Sequence, residues 1–419
     1  MTVAARLSPQ PWMTAPESRA VFAALDAGGA DARFVGGCVR DAWLGRPVKD
    51  IDIATHAPPE RVMELLQAAG IRVIPTGIAH GTVTALCGGK PYEITTLRRD
   101  VETDGRHARV EFTDDWVEDA ARRDLTMNAL SCTPDGAMFD PFGGLADLAA
   151  GRVRFVGEAR RRIEEDVLRL LRFFRFHAHY GRGEPDAEAM AACRELAPRL
   201  PTLSGERVRG ELFRLLTASC AAAVWRLMMG QGIMAHLLPE AMDTDRLDRL
   251  IAVERDLGVT PDPTRRLAAV LDSDRPGALR AAEALRLSNH ERDRLLALVE
   301  PPVALAPSDD RKALRQGLYR IGDGELFGDL LMMAAAIHDG PLDLMALRRA
   351  LEVAGDLPDL RLPIAGRDLL DLGIPRGPAV GEALKRIEGW WIAADFQPGR
   401  EACLEMARGL FDQASGRSA

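Results

Sequence analysis

Residues 32–55 read ARFVGGCVRDAWLGRPVKDIDIAT, and this stretch decides the fold. ARFV is a short apolar run ending at Gly36-Gly37, VRDAWLG reads as a short helix, and DIDIAT reads as a second strand. A strand that turns through two glycines into a helix and returns as a strand opens a small mixed α/β domain. Asp50 and Asp52 stand two apart in the second strand, where residues i and i+2 share a face. Their carboxylates would lie side by side and repel, so the pattern asks for something positive between them.

Working outward, residues 18–27 and 58–69 have helical periodicity, the second opened by prolines. GTVTALC and PYEITTL are apolar runs joined by Gly88-Gly89, a hairpin signature. Residues 98–115, RRDVETDGRHARVEFTDD, are mostly charged without an apolar period and predict a mobile loop. Beyond about residue 157 strand signals stop. Helical runs follow at 165–180, 186–196, 206–217 and 222–229 and continue to the end, with proline and glycine joints near 260–263, 300–307 and 357–363. The expected class is α+β: a mixed α/β head at 1–157, a helical neck at 158–217, and a helical body and tail at 218–419.

The bulk numbers exclude several classes. With 419 residues, 47% of them hydrophobic and 28% charged, the chain has ordinary globular composition. Its six cysteines show no CxxC spacing, which argues against a disulfide framework or a zinc site. No apolar run is long enough for a membrane span, and the first residues do not resemble a secretory leader, so a cytoplasmic protein without a membrane partner is expected. A net charge of −8 argues against a nucleic-acid partner. The distribution reverses that reading, because residues 151–182 carry nine arginines against four acids. Such a basic stripe suits RNA.

Gly36-Gly37 places backbone N–H groups where a phosphate could rest, and Arg40 follows one turn later. Joined to the D-x-D strand, this is what metal-dependent phosphoryl or nucleotidyl transfer needs. Asp50 and Asp52 would hold Mg²⁺, which takes oxygen ligands and bridges substrate phosphates. Glu93 is the candidate third acid. In RRDLTMNAL, Arg122, Arg123, Asp124 and Asn128 form a polar cluster suited to a ribose or a phosphate, or else a charged helix start capped by Asp124. In EEDVLRLLRFFRFHAHY, Arg169, Arg172 and Arg175 recur every third residue among leucines and phenylalanines. A buried unpaired charge is costly, so these arginines require anionic partners or a cleft. Asp166 and Arg169 form either a plain i, i+3 helix pair or a reader of a nucleobase edge, the aspartate accepting from an amino group and the arginine donating to ring nitrogen or carbonyl.

GGCVRDAWLGRPVKDIDIAT, RRDLTMNAL, DPFGGLADL at 140–148 and EEDVLRLLRFFRF occur in the order of a known family. The chain resembles the bacterial-type (class II) tRNA nucleotidyltransferases and poly(A) polymerases, densely over 31–180 and more loosely beyond. SGERVRGEL at 204–212 resembles the family's next neck motif, and GRDLLDLGIPRGPAVGEALKRIE at 366–388 a Gly-rich helix-turn-helix near its C-terminus. The resemblance implies a nucleotidyltransferase-type head and template-independent addition of CCA to the 3′ end of tRNA from CTP and ATP. It assigns metal to Asp50 and Asp52, the catalytic pair beside which Glu93 stands as the candidate third catalytic acid. Gly37 and Arg40 would meet the triphosphate, Arg123 and Asp124 the ribose side, Asp166 and Arg169 the base, and Arg172 and Arg175 would complete the nucleotide pocket; Gly36 and Asn128, beside them in the same motifs, are read as nucleotide-binding with them. The segment carrying Asp104, Gly105, Arg106 and His107 resembles a flexible loop implicated in the change from CTP to ATP.

Poly(A) polymerases share the head, but PTGIAHGTVTAL at 75–86 stands where they carry a basic-aromatic stretch, which favours tRNA. A catalytically inactive tRNA-binding protein would be expected to lose a D-x-D carboxylate, and both are intact. His338-Asp339 lacks the further histidines of a metal phosphohydrolase, and His177 and His179 read as core or interface groups. The implied partners are tRNA, with Arg207, Arg209, Lys385 and Arg386 as candidate contacts, and no stable protein partner. Trp390 and Trp391 read as tail anchors or stacking platforms.

Overall fold

The computed structural model describes residues 2–104, 107–338 and 341–415. The chain forms two compact units, Met1–Pro239 with Ala284–Arg286, and Glu240–Glu283 with Leu287–Ala419.

The first unit is built on ten strands: β1 (Ala5–Arg6), β2 (Ala32–Val35), β3 (Ile51–Thr55), β4 (Arg72–Gly77), β5 (Thr82–Cys87), β6 (Lys90–Thr96), β7 (Arg98–Asp104), β8 (His107–Phe112), β9 (Ser131–Cys132) and β10 (Ala137–Phe139). Eight form one sheet in the order β1-β10-β9-β2-β3-β6-β5-β4. Strand β3 runs antiparallel to β2 and parallel to β6, with Phe34 opposite Ile53, and Ile53 opposite Ile94. Val83 of β5 completes this cross-strand row, every member of which is essentially without solvent exposure. The period of two turns the alternate row to the other face, where Asp52 stands opposite Glu93, and Glu93 opposite Thr84. The sheet therefore buries one row and presents carboxylates from the next.

Gly88 and Gly89 both take positive φ in the β5–β6 hairpin, as their sequence predicts. The expected mobile loop at 98–115 is instead a second sheet, with β7 paired antiparallel to β8 and Arg99 Nη2 3.0 Å from Glu111 Oε2 across it. Its strands alternate charges rather than apolar residues, so no hydrophobic period betrayed them. Gly105 and Arg106, at its tip, lie outside the described residues.

The expected helix at 165–180 is two helices, Ala159–Glu165 and Leu168–Tyr180, with Asp166 extended between them at φ −153°, ψ 108°. Leu168, Leu170, Leu171, Phe173, Phe174 and Phe176 are buried on the second helix, which packs on the Gly205–Leu216 helix. The apolar stripe fills the core, leaving the three arginines on the opposite side.

The second unit is helical throughout its described residues, from Thr244–Leu257 to Arg400–Ser415. Inside it Arg265 pairs with Glu254 and Asp329, each at 2.6 Å, and Arg266 with Glu254 at 2.7 Å, all at most 4% exposed. Trp391 lies in a separate apolar cluster with Ile387 and Leu369, and its Nε1 donates to the Pro398 carbonyl, so its role is to anchor the tail. Lys385 and Arg386 are exposed.

Candidate active site

Strand β2 ends at Val35, and the Gly37–Trp43 helix starts at once. The reversal uses Gly36 at φ +70°, a conformation that side-chain-bearing residues rarely adopt. A Cβ on Gly36 would also lie 2.9 Å from Arg123 Nη1, so the missing side chain admits that guanidinium. Arg40, one turn on, is buried. It donates from Nε and Nη2 to both carboxylate oxygens of Asp41, at 2.9 and 2.8 Å, and from Nη1 to Asn128 Oδ1 at 2.6 Å.

A relay continues from there. Asn128 Nδ2 donates to Asp124 Oδ1 at 3.0 Å, and Arg172 Nε donates to Asp124 Oδ2 at 2.6 Å. Burial pushes the Asp124 carboxyl up, but Arg172 and the donors Asn128 and Leu125 N–H together hold it below the ordinary carboxylate range. RRDLTMNAL is thus a tight turn with a 3-10 segment at Thr126–Asn128, neither the start of a long helix nor a strand. Arg162, reaching from the Ala159–Glu165 helix, braces it by donating to the carbonyls of Arg122 and Arg123.

These elements enclose a cavity of about 530 Å³. Of the residues singled out from sequence, Gly36, Gly37, Arg40, Asp52, Arg123, Asp124, Asn128, Asp166, Arg169, Arg172 and Arg175 line it together. Leu168, Phe176 and Arg207 complete the wall. Six arginines against three aspartates give this hollow a positive surplus inside an acidic protein, which suits a polyphosphate. A second cavity of about 500 Å³ adjoins it, lined by Asp50, Lys49, Arg46 and Tyr180 and sharing Gly37, Arg40 and Asp52 with the first.

The carboxylates are less regular than the sequence suggests. Strand β3 begins at Ile51, so Asp50 precedes it and is exposed, as is Glu93. Burial, and then the negative charges of Glu93 and Asp50 opposed by Arg123, push the Asp52 carboxyl up to about 6. Among the described residues no set of three His, Cys, Asp or Glu side chains is arranged to enclose a metal ion. The group still fits a divalent cation in charge: three carboxylates repel one another with a single arginine opposing them. Magnesium sites commonly take one or two carboxylates and complete their shell with substrate phosphates and water.

Of the two readings of Asp166 and Arg169, the plain i, i+3 helix pair does not form. Arg169 Nη1 lies 2.6 Å from Glu165 Oε2, while Asp166 accepts from Leu168 N–H at 3.1 Å and from Arg207 Nη2 at 2.7 Å. The break between helices removes the i, i+3 geometry on which the pair depended. Arg175 Nε is 2.6 Å from Glu211 Oε2, and Arg172 Nη1 is 3.8 Å from Glu211 Oε1, which answers the demand for anionic partners.

Sequence reasoning passed over Asp41, Glu165, Tyr180 and Glu211. Tyr180 donates to Asp41 Oδ1 at 2.8 Å, and its ring lies 4.4 Å from both Arg40 and Arg46. Asp41 adjoins Arg40 and Glu165 adjoins Asp166, so proximity to a motif was an available signal; Tyr180 and Glu211 had none. Arg207 was read as a tRNA contact and is found in the cavity wall. Asp339 lies outside the described residues. No helix among those described is long and apolar enough to cross a membrane.

Comparison with known proteins converges on one family. Residues 32–154 match the Poly A polymerase head domain, and residues 184–244 match the family described as probable RNA and SrmB-binding site of polymerase A. The mitochondrial CCA tRNA nucleotidyltransferase 1 of Danio rerio is 34% identical over 383 residues, covering 89% of this chain and 86% of that protein. The CCA-adding enzyme of Leuconostoc mesenteroides is 31% identical over 398 residues, covering 94% and 96%. The crystal structure of the Bacillus stearothermophilus CCA-adding enzyme in complex with CTP superposes with a TM-score of 0.77 at 29% identity, covering 96% of this chain and 98% of that one.

Proposed function

The chain belongs to the tRNA nucleotidyltransferase and poly(A) polymerase family, and from that premise we propose that it adds CCA to the 3′ end of tRNA from CTP and ATP. One observation carries the proposal: residues from four distant motifs, each singled out by its chemistry, line a single arginine-rich cavity that ends at Asp52. The relatives are named as CCA-adding enzymes, and one is solved with CTP.

In this reading the nucleotide's triphosphate lies along the Gly36-Gly37 turn among Arg123, Arg172 and Arg175. Asp124 and Asn128 face the ribose. Asp166 and Arg169 read the base: cytosine and adenine both offer an amino donor beside a ring-nitrogen acceptor, matching a carboxylate and a guanidinium. The acceptor 3′-hydroxyl attacks the α-phosphate in line, and pyrophosphate leaves. Arg40 is engaged by Asp41 and Asn128, so it chiefly fixes the turn and leaves its remaining N–H groups for phosphate.

Enzymes of this family work with a divalent metal ion, here proposed to be Mg²⁺ held by Asp50 and Asp52 with Glu93 close by. When bound, it acidifies the attacking hydroxyl and neutralises charge on the phosphates. Head at 1–157, neck at 158–217, RNA-binding body and tail at 218–419, and a cytoplasmic location complete the proposal.

The test is to incubate purified protein and Mg²⁺ with tRNA lacking CCA, supplying CTP, ATP or both, and to read product length. Two additions with CTP alone and a stop at three with both are expected. A long ladder from ATP alone would reassign the chain to poly(A) synthesis, and no extension would leave a tRNA-binding protein.

A further inference from the structure

Asp119, on the Trp116–Ala121 helix, is a buried carboxylate, 3% exposed, whose two oxygens serve different neighbours. Oδ1 belongs to the scaffold: it accepts from the backbone N–H of Arg98, the first residue of β7, at 3.3 Å and from Arg122 Nε at 2.9 Å. Oδ2 faces the cavity wall, accepting from Arg123 Nη2 at 3.4 Å. Burial pushes the Asp119 carboxyl up, but Arg122, Arg123 and the Arg98 N–H together hold it below the ordinary carboxylate range, so it is charged at neutral pH. The Arg123 guanidinium also rests over Gly36 and donates from Nη1 to the Asn128 carbonyl at 3.3 Å. Both bonds are long, so the guanidinium is held by the two together rather than by either. Arg123 lines the cavity with Asp52. Burial and Glu93 raise the Asp52 carboxyl and the charge of Arg123 opposes them, so the guanidinium stands within electrostatic reach. It nevertheless pairs with Asp119, and no ion pair joins it to Asp52 among the described residues.

We propose that Asp119 is a positioning residue for metal binding: by taking the Arg123 guanidinium on Oδ2, it holds that cation at the cavity wall and keeps it off Asp52, whose carboxylate is thereby left open to the divalent ion. The inference rests on the metal assignment made above. Asp119 does not line the cavity and acts only through Arg123. An arginine carries a permanent charge on a flexible stem, and carboxylates within its reach compete for it. Asp119 is the better-fixed competitor, because Arg98 N–H and Arg122 hold its other oxygen. Without the Asp119 charge, Arg123 keeps its long bond to the Asn128 carbonyl and is drawn to the Asp52 carboxylate. A guanidinium seated there forms an internal ion pair that a divalent cation must break before it binds. Asparagine at position 119 retains an oxygen acceptor for Arg98 N–H and Arg122, so that change removes the charge and spares the scaffold bonds.

Mn²⁺ titration of the full-length protein, followed by electron paramagnetic resonance without nucleotide, tests this in the wild type, Asp119→Asn, Arg123→Gln and the double variant. Asp52→Asn identifies the signal that belongs to this site. Asp119→Asn should weaken Mn²⁺ binding by about tenfold to a hundredfold, the range of one hydrogen bond to a charged group that the ion must displace. Adding Arg123→Gln to Asp119→Asn should restore binding to the level of Arg123→Gln alone, because the competing cation is gone and the two residues act as one unit. A loss caused by a distorted fold would not be relieved by a second substitution that removes a further bond. Should Asp119→Asn not fold, Asp119→Glu, which displaces the carboxylate by one methylene, faces the same rescue criterion. Unchanged Mn²⁺ binding in the position-119 variant, or a loss that Arg123→Gln does not relieve, would overturn the proposal. A wild type that binds Mn²⁺ through Asp52 yet never extends tRNA would defeat the assigned reaction while leaving this test intact. A wild type that binds no Mn²⁺ at Asp52 would defeat both.

Discussion

Replacing Asp52 by asparagine should stabilise the metal-free protein while abolishing its chemistry. The Asp52 carboxyl is raised to about 6 from an ordinary 3.8, by burial first and then by Glu93 and Asp50. A folded-state value above the unfolded one means that the folded state holds the proton more tightly. The stability contributed by Asp52 is therefore greatest below pH 4, declines as pH rises from about 4 to about 6, and stays at its lower level above. The interval corresponds to about 3 kcal/mol at neutral pH. No hydrogen bond to the Asp52 carboxylate is found among the described residues, so asparagine forfeits none, though an amide in a half-buried place costs part of the gain. Urea unfolding in EDTA should thus give a variant about 1–3 kcal/mol more stable at pH 8 and no different at pH 4. Adding Mg²⁺ should narrow or reverse the gap, because a ligand that binds only the folded wild type stabilises it by mass action. A variant less stable than wild type at pH 8 in EDTA, or a gain that persists at pH 4, would refute the electrostatic reasoning.

Three further substitutions probe other parts of the structure. Asp124→Asn leaves Arg172 without its close partner and should weaken CTP and ATP by a similar factor of about ten or more, leaving their ratio intact, as measured by nucleotide titration. Because Asp124 is held below its ordinary value, the stability it contributes is present at neutral pH and disappears in acid, so the wild type should lose its margin over this variant as pH falls through the carboxylate range. Glu254→Gln removes the negative charge that faces both Arg265 and Arg266 in the interior of the second unit, leaving Arg265 with Asp329, and should cost about 3 kcal/mol in chemical denaturation. Tyr180→Phe removes one hydrogen bond to Asp41 and should cost about 0.5–1.5 kcal/mol in the unfolding of the first unit.

The Gly36-Gly37 turn, the strand after Asp50, the Gly88-Gly89 hairpin and the arginine spacing of the Leu168–Tyr180 helix were legible because each is written within a few consecutive residues. Spacing in the sequence translated directly into facing in space. Paired strands β7 and β8 were not legible, since their register rests on backbone bonds and an Arg99–Glu111 contact rather than on apolar alternation. The interruption at Asp166 was hidden inside a run with good helical periodicity. Ion-pair partners were hidden most thoroughly: Asp124 finds Arg172 at a separation of 48 residues and Asp166 finds Arg207 at 41, and local pattern carries no information about such meetings. The Asp166–Arg207 contact is one that no local pattern around either residue announces.

The helix bearing the three arginines begins just after Asp166 and ends at Tyr180, whose hydroxyl and ring grip Asp41, Arg40 and Arg46 beside the Gly36-Gly37 turn. The end of this helix is therefore keyed to the Gly37–Trp43 helix and the residues just after it. For protein engineering this sets the seam at which parts can be exchanged. A chimaera that replaces this helix with a foreign one must import a tyrosine at the helix end to meet Asp41, Arg40 and Arg46, or the transplanted helix will sit on a turn it no longer steadies. Cuts made after Tyr180 preserve the lock, whereas cuts at the edge of the sheet sever it.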